Sequence, residues 1–352
     1  MKKTLPIYFF VMLSYGCGNN RNPETYKVDL LGVGVTFPQT FYDIIISNYE
    51  YETGNKVSYN KTNTSGGIRA FRDKVVDFVV TDMLLTEEEM ADCQSEILHI
   101  PSALGAVVLA YNVPGIQELN LNPELIAGIY LGRIKYWDDS LLVAVNPESK
   151  LTHLRINPVF RADESGTTYL LSRYLSESCL EWKRDIGVRK SIKLQTGIAV
   201  KGNSAMVHSI KDLEGSIGYI GMEHASLLNL PIAAIQNSSG NYIKANKQTL
   251  YYYVTEIEFP DDMRILFTDP KKENTYPIPC LSWILAYKNQ AYNHRSVEKY
   301  KSLKSFLIYV INPETQKITS RLTYLPLPAT VVAKAQKLID SMVWEDELKN
   351  GE

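Results

Sequence analysis

The sequence predicts an α/β protein of two domains. Short apolar runs alternate with helical patterns along the body of the chain, and no internal repeat or charge block interrupts them. A length of 352 residues is enough for two domains of ordinary size, each with its own core. Two stretches are candidate crossings between them. One is Pro101-Ser102 with the strand Ala106 to Tyr111, the other Tyr276-Pro277-Ile278-Pro279 with the strand Ser282 to Tyr287. An apolar content of 45% marks a folded chain, and a net charge of −2 gives no general attraction for nucleic acid or an acidic membrane surface. An anionic ligand would therefore need a local site.

Taken in order, Val28 to Gly34 reads as a strand that ends in a flexible turn. Phe41, Ile44, Ile45 and Tyr49 then mark one apolar helix face, with Pro38 at its start and Gly54 as its stop. Lys56 to Tyr59 is the next strand, Asn63 to Gly67 a second turn, and Ile68 to Lys74 a helix. The strand Asp77 to Val80 ends in Thr81-Asp82, and Thr86 with Glu89 reads as a capped helix start. A helix over Leu125 to Tyr130 is stopped by Gly132, and Ile156 to Phe160 is a strand leading into Arg161. Further helix faces are Leu170, Leu171, Tyr174 and Leu175, then Met206, Val207, Ile210 and Leu213, with a strand at Gly215 to Ile220. Asn237 to Asn274 reads as polar and irregular, and two last helices lie around Leu303 to Ile311 and Thr330 to Met342.

The first sixteen residues form a separate unit. Lys2 and Lys3 precede an apolar run from Leu5 to Leu13, and Ser14-Tyr15-Gly16 stands before Cys17. This is the pattern of a secretory signal, residues 1–16, cut before a cysteine that receives lipid; a buried N-terminal strand is the alternative. Residues 17–26 would then be a tether between the lipid anchor and the folded body. Cys93, Cys179 and Cys280 remain, leaving one disulfide with a free thiol, or three buried thiols, equally open. The five histidines lack metal-ligand spacing, so neither a metal nor another cofactor is predicted.

One stretch carries the chemistry: Arg161-Ala162-Asp163-Glu164-Ser165-Gly166-Thr167-Thr168, between a strand and a helix. A helix start exposes unpaired N–H groups at the positive end of the dipole, which favours an anion. Arg161 can add a two-pronged fork, and Asp163 can orient it; the plainer reading is that Asp163 or Ser165 only caps the helix. Thr36-Phe37 and Thr64-Ser65-Gly66-Gly67 repeat the design. Three such turns point to several helix starts converging on one anion at the carboxyl ends of the strands, against three independent caps.

These motifs have a familiar order and spacing: Gly32-Val33-Gly34-Val35-Thr36-Phe37-Pro38, Thr64-Ser65-Gly66-Gly67, Val76-Asp77-Phe78 with Thr81-Asp82, and Arg161 to Thr167. Further matches are Ile129 to Asp139, Lys201-Gly202-Asn203, Gly215 to Tyr219 and Tyr276-Pro277-Ile278. From about Leu30 to about Ile339 the chain closely resembles the phosphate-binding proteins of bacterial ABC-type phosphate transporters. The resemblance implies a two-lobed periplasmic-binding-protein-like fold of type II, in which two α/β lobes joined by a two-segment hinge close on phosphate. Residues 27–102 plus 277–350 would form one lobe and residues 103–276 the other. Carried over by position, the ligands would be Thr36, Phe37, Thr64, Asp82, Arg161, Ser165, Gly166 and Thr167, with Asp163 fixing Arg161. The implied partners are inorganic phosphate and permease subunits with a separate ATPase. The implied setting is the periplasm or cell envelope, as a monomer held to the membrane only through Cys17.

Two departures stand out. Thr64 replaces the family's common serine, and Glu164 replaces a glycine-like position, putting a negative charge beside an anion site. Pointing outward, Glu164 would be screened by solvent; pointing inward, it would lower phosphate affinity. Asp82 is the informative residue, since a buried carboxylate accepts a proton-bearing phosphate and rejects sulfate; a helix cap is the alternative. Other readings are a protein for another oxyanion, a phosphate sensor without a transporter, and a secreted phosphatase with Asp82 or Thr36 as nucleophile. The last lacks a base or metal pair beside these turns. Gly32-Val33-Gly34 without a third glycine is a poor dinucleotide motif, and no Gly-Lys-Ser/Thr run for ATP is present.

Overall fold

The computed structural model describes residues 28–255, 257–267 and 272–345. The signal and tether assignments, and Cys17, lie outside the described residues. In chain order the first elements are β1 (Asp29–Gly34), α1 (Gln39–Thr53), β2 (Lys56–Lys61), α2 (Thr64–Arg72), β3 (Phe78–Thr81), α3 (Glu87–Asp92) and β4 (Ile97–Asn112). Next come β5 (Asn120–Leu121), α4 (Pro123–Tyr130), α5 (Ser140–Val145), β6 (Asn157–Arg161), α6 (Gly166–Ser178), α7 (Leu180–Asp185), β7 (Ile198–Val200) and α8 (Gly202–Asp212). Then follow β8 (Ser216–Gly221), α9 (Met222–Leu227), β9 (Ala234–Gln236), β10 (Tyr242–Ile243) and α10 (Lys247–Val254). The chain returns through β11 (Pro279–Tyr287), α11 (Val297–Ile311), α12 (Pro313–Gln316), a 3-10 turn (Lys317–Arg321) and α13 (Ala329–Asp340).

Eight strands form one curled sheet in the order β2-β1-β3-β11-β4-β8-β6-β7, and a small sheet is ordered β10-β9-β5. β4 joins the two halves. It pairs antiparallel with β11 over Ile97 to Ala106 and with β8 over Val107 to Asn112. Only its end residues are partly exposed, as expected of a strand covered on both faces.

The sequence reading begins this strand at Ala106, after Pro101-Ser102, but the strand starts at Ile97 and runs through that pair. The reason is a bulge. Pro101 faces Trp283 and Ala103 faces Ser282, so Ser102 is an extra residue, and a proline without an N–H is tolerated there. Ser102 Oγ donates to the Ser282 carbonyl at 3.0 Å, and Gln316 Nε2 donates to the Ser102 carbonyl at 3.0 Å. Further on, Gly105 lets the Phe37 ring lie against the β4 backbone; a Cβ there would come within 2.9 Å of Phe37 Cζ.

The stretch from Asn237 to Asn274, expected to be irregular, contains β10 and α10. Asn246 and Thr249 form a capping box, and Leu250, Tyr253 and Val254 turn inward. Tyr253 meets Phe267 edge-on at 5.1 Å, so tertiary packing overrides an aromatic run with weak helix preference. Cys93, Cys179 and Cys280 are buried and unpaired. Among the described residues no helix is long and apolar enough to cross a membrane.

The strand that leads to Asp82 is anchored at its start by Asp77, which is 3% exposed. Its carboxylate accepts from the Leu31 N–H at 2.6 Å, pairs with buried Arg295, and lies 3.1 Å from Lys299 Nζ. β1, β3 and the start of α11 are thereby tied together. Removing one member of a buried pair strands the other, so Asp77→Ala is expected to cost about 3–5 kcal/mol. Urea denaturation measures this, and a variant within about 0.5 kcal/mol of wild type contradicts the anchoring role.

Candidate functional site

Four helix starts meet at one small cavity. α1 brings Val35, Thr36 and Phe37; the approach to α2 brings Thr62 and Asn63; α6 brings Glu164, Ser165, Gly166 and Thr167; α8 brings Asn203. Asp82 comes from the end of β3 and Arg161 from the end of β6. The cavity is small, with about 10 Å³ of room for the centre of a water-sized group, far below the roughly 300–1,000 Å³ typical of organic-ligand pockets. The α1 and α6 starts carry no side-chain cap, whereas Asn63 Oδ1 accepts from the Gly66 N–H of α2 at 2.7 Å and Asp163 Oδ1 from the Gly202 N–H of α8 at 3.2 Å; the positive dipole ends still converge there, which suits a small anion.

Arg161 is 4% exposed and held on three sides. Nε donates to Asp163 Oδ1 at 2.7 Å and Nη2 to Asp163 Oδ2 at 2.6 Å, while Nη1 donates to Asn203 Oδ1 at 2.9 Å. A guanidinium has five N–H donors, so one hydrogen on each terminal nitrogen remains for two ligand oxygens. Its backbone N–H donates to Tyr219 Oη at 2.9 Å, which fixes the strand end. Burial raises the Asp163 carboxyl, yet the Arg161 hydrogen bonds and charge outweigh it and hold Asp163 below the ordinary range.

Asp82 is 3% exposed. Oδ1 accepts from Ser282 Oγ at 2.5 Å, and a Cβ added to Gly166 would come within 3.1 Å of Oδ2. Glycine is therefore required where the α6 N–H groups approach this carboxylate. Burial pushes the Asp82 carboxyl up to about 7, against the downward pull of the Ser282 hydrogen bond and of Arg161. A carboxyl poised near neutrality can accept or hold a proton shared with a ligand.

The Phe37 carbonyl accepts from Tyr324 Oη at 2.8 Å and the Val35 carbonyl from Tyr59 Oη at 2.7 Å, so the α1 turn is clamped behind its exposed N–H groups. Ser165 Oγ and Thr167 Oγ1 are 2.7 Å apart. Seven of the sequence-predicted positions, Thr36, Phe37, Asp82, Arg161, Ser165, Gly166 and Thr167, line the cavity together. Thr64 follows Thr62 and Asn63 of the wall as the first residue of α2; it is buried, and its hydroxyl has no hydrogen-bond partner. Glu164 is only partly buried, but it lines the cavity and its Oε2 is buried without a partner.

Sequence reasoning did not assign Asn203 or Ser282 to the site. Lys201-Gly202-Asn203 offered a signal, a glycine followed by an amide; in the fold Gly202 opens α8 at φ +77°. Ser282 offered none, since only strand pairing between β3 and β11 brings it to Asp82. Among the described residues no group of three acidic, His or Cys side chains could hold a metal ion.

A family model described as PBP superfamily domain matches residues 21–314. The phosphate-binding protein PstS of Haemophilus influenzae is 32% identical over 331 residues, spanning 93% of this chain and 96% of that protein. The PstS of Methanocaldococcus jannaschii is 32% identical over 321 residues, spanning 85% of this chain and 82% of that one. Among solved structures, a high-affinity periplasmic phosphate-binding protein (PfluDING) bound with phosphate at pH 8.5 superposes with a TM-score of 0.73 at 17% identity. That match covers 88% of this chain and 93% of that one. A phosphate-binding protein from Stenotrophomonas maltophilia gives 0.69 at 17% identity, with the same coverage. At that identity the two structures share the fold, which is two-lobed and α/β. Matched by the family model over most of its length and by relatives above 30% identity, this chain belongs to the PBP superfamily and, within it, to the PstS family of phosphate-binding proteins.

Proposed function

We propose that the protein binds inorganic phosphate outside the cytoplasm and delivers it to the permease subunits of an ABC importer whose ATPase is a separate chain. The observation that carries this reading is the small cavity in which four helix starts and Arg161 surround the buried carboxylate of Asp82. The relatives named above are named for binding and not for a reaction, and the chain is read as a binding protein rather than an enzyme.

In this reading the two remaining Arg161 hydrogens grip two phosphate oxygens. The N–H groups of Phe37, Gly166 and Thr167 and the hydroxyls of Thr36, Thr64 and Ser165 complete the donor set, while Asp163 aims Arg161. Asp82 accepts the proton that phosphate carries at neutral pH. Sulfate has no proton to give and would leave two negative groups in contact, which costs several kcal/mol when buried. The unpartnered Thr64 hydroxyl supports a role as a ligand.

Residues 27–102 with 277–350 are assigned to one lobe and 103–276 to the other, and closure is a hinge motion about the crossing strands. The Lys190–Glu89 pair at 3.1 Å and the Arg264–Glu87 pair at 2.8 Å, each with one partner in either lobe, support a closed arrangement. The N-terminal segment is read as an export signal followed by a lipid anchor on Cys17, with the protein a monomer at the cell envelope.

Calorimetry on the chain from Gly18 onward tests the assignment: phosphate should bind tightly and sulfate weakly, and comparable sulfate affinity at neutral pH defeats it. Arg161→Ala is expected to weaken phosphate binding by about 2–4 kcal/mol, and an unchanged dissociation constant removes Arg161 from the site. Because the folded-state pKa of Asp82 is raised to about 7, the carboxyl gains its own proton below that pH and turns from acceptor to donor. Sulfate competition in the wild type should therefore strengthen as pH falls through about 7. In Asp82→Asn it should be strong at every pH, and a variant keeping the wild-type selectivity shows that Asp82 is not the filter.

A further inference from the structure

The cavity holds more carboxylate than one proton can satisfy. Arg161 is the one cation among the described lining residues, and Asp163 already engages it through two hydrogen bonds. Asp82 and Glu164 both line the same small space, and Glu164 contributes an oxygen that is buried and unpartnered. The charged groups in the surrounding elements are few. Asp82 follows β3, Arg161 ends β6 and Asp163 lies just beyond it, whereas α1, α2 and α8 present only neutral groups there: Thr36, Phe37, Thr62, Asn63 and Asn203. Lys190, whose carbonyl accepts from the Ser165 N–H, has its ammonium on Glu89 at 3.1 Å.

A buried carboxylate oxygen without a donor is costly, and a ligand able to donate to it is favoured over one that is not. We infer that Glu164 is a second proton acceptor in the site, so that the form of phosphate held is dihydrogen phosphate, with one O–H directed to Asp82 and one to Glu164. Hydrogen phosphate dianion has a single O–H and would leave one of the two carboxylates facing a bare phosphate oxygen. When the dianion is the form in solution, one proton must be taken from solvent as it binds. No covalent bond is made or broken in the ligand apart from this protonation.

The inference rests on the phosphate reading above, and a pH series separates the two. Inorganic phosphate is titrated calorimetrically into the chain from Gly18 onward between about pH 6 and about pH 9, in buffers of different ionisation enthalpy. Above the second ionisation of phosphate the wild-type dissociation constant should rise about tenfold per pH unit, with about one proton taken up per phosphate bound. Glu164→Gln and Glu164→Gly should flatten that slope to near zero, so that their advantage over wild type widens with pH. A flat wild-type profile, or the same slope in a folded variant, overturns the role of Glu164 while leaving phosphate binding standing. Absence of phosphate binding by the wild type even at about pH 6 overturns the phosphate reading itself, and this inference with it. Thermal melting establishes that each variant is folded; if neither is, the wild-type slope and proton count decide alone.

Discussion

Burial of the Asp82 carboxylate at the end of β3 is the constraint on which the rest of the site depends. A carboxylate withdrawn from water must find donors or take a proton. The fold offers one donor, Ser282, delivered by the antiparallel pairing of β3 with β11 from 200 residues away in sequence. On the other side Gly166 opens α6 close against it, so that N–H groups and not a side chain face the space between. The remaining demand of Asp82 is for a proton, and that demand is what a proton-bearing anion can meet in the proposed function.

Arg161 follows a complementary logic. Its charge is needed at the cavity, but a free guanidinium would have several geometries. Asp163 takes one edge and Asn203 one corner, leaving a single edge forward. The cost is that its charge is largely balanced before any ligand arrives, so selectivity in the proposed site comes from the direction of hydrogen bonds more than from net positive charge. Four helix starts supply the rest of the attraction without adding a titratable group.

Local chemistry was legible in the sequence where it is written in consecutive residues. The helix start at Thr86 with Glu89, the stop at Gly54 and the strand-to-helix turn at Arg161 to Thr167 follow from capping, glycine geometry and periodicity, and each is found in the fold. What could not be read depends on partners distant in sequence. Pro101 looks like a strand breaker until the bulge opposite Ser282 and Trp283 is known. Helix α10 is invisible in an aromatic run until Phe267 packs on Tyr253. The orientation of Glu164 is not legible in sequence, because a residue beside a turn can point either way; in the fold it lines the cavity with one buried oxygen. Recognition of family motifs carried the assignment of individual site residues further than spacing alone, since three capped helices would satisfy the same local pattern.

The proposed selectivity turns on a hydrogen shared between Asp82 and the ligand. A neutron or atomic-resolution structure of the phosphate complex at about pH 8 observes it directly. The expected result is a phosphate oxygen roughly 2.5–2.7 Å from an Asp82 oxygen with the hydrogen between them. A phosphate whose nearest oxygen lies beyond about 3.5 Å, with water or a cation interposed, contradicts it.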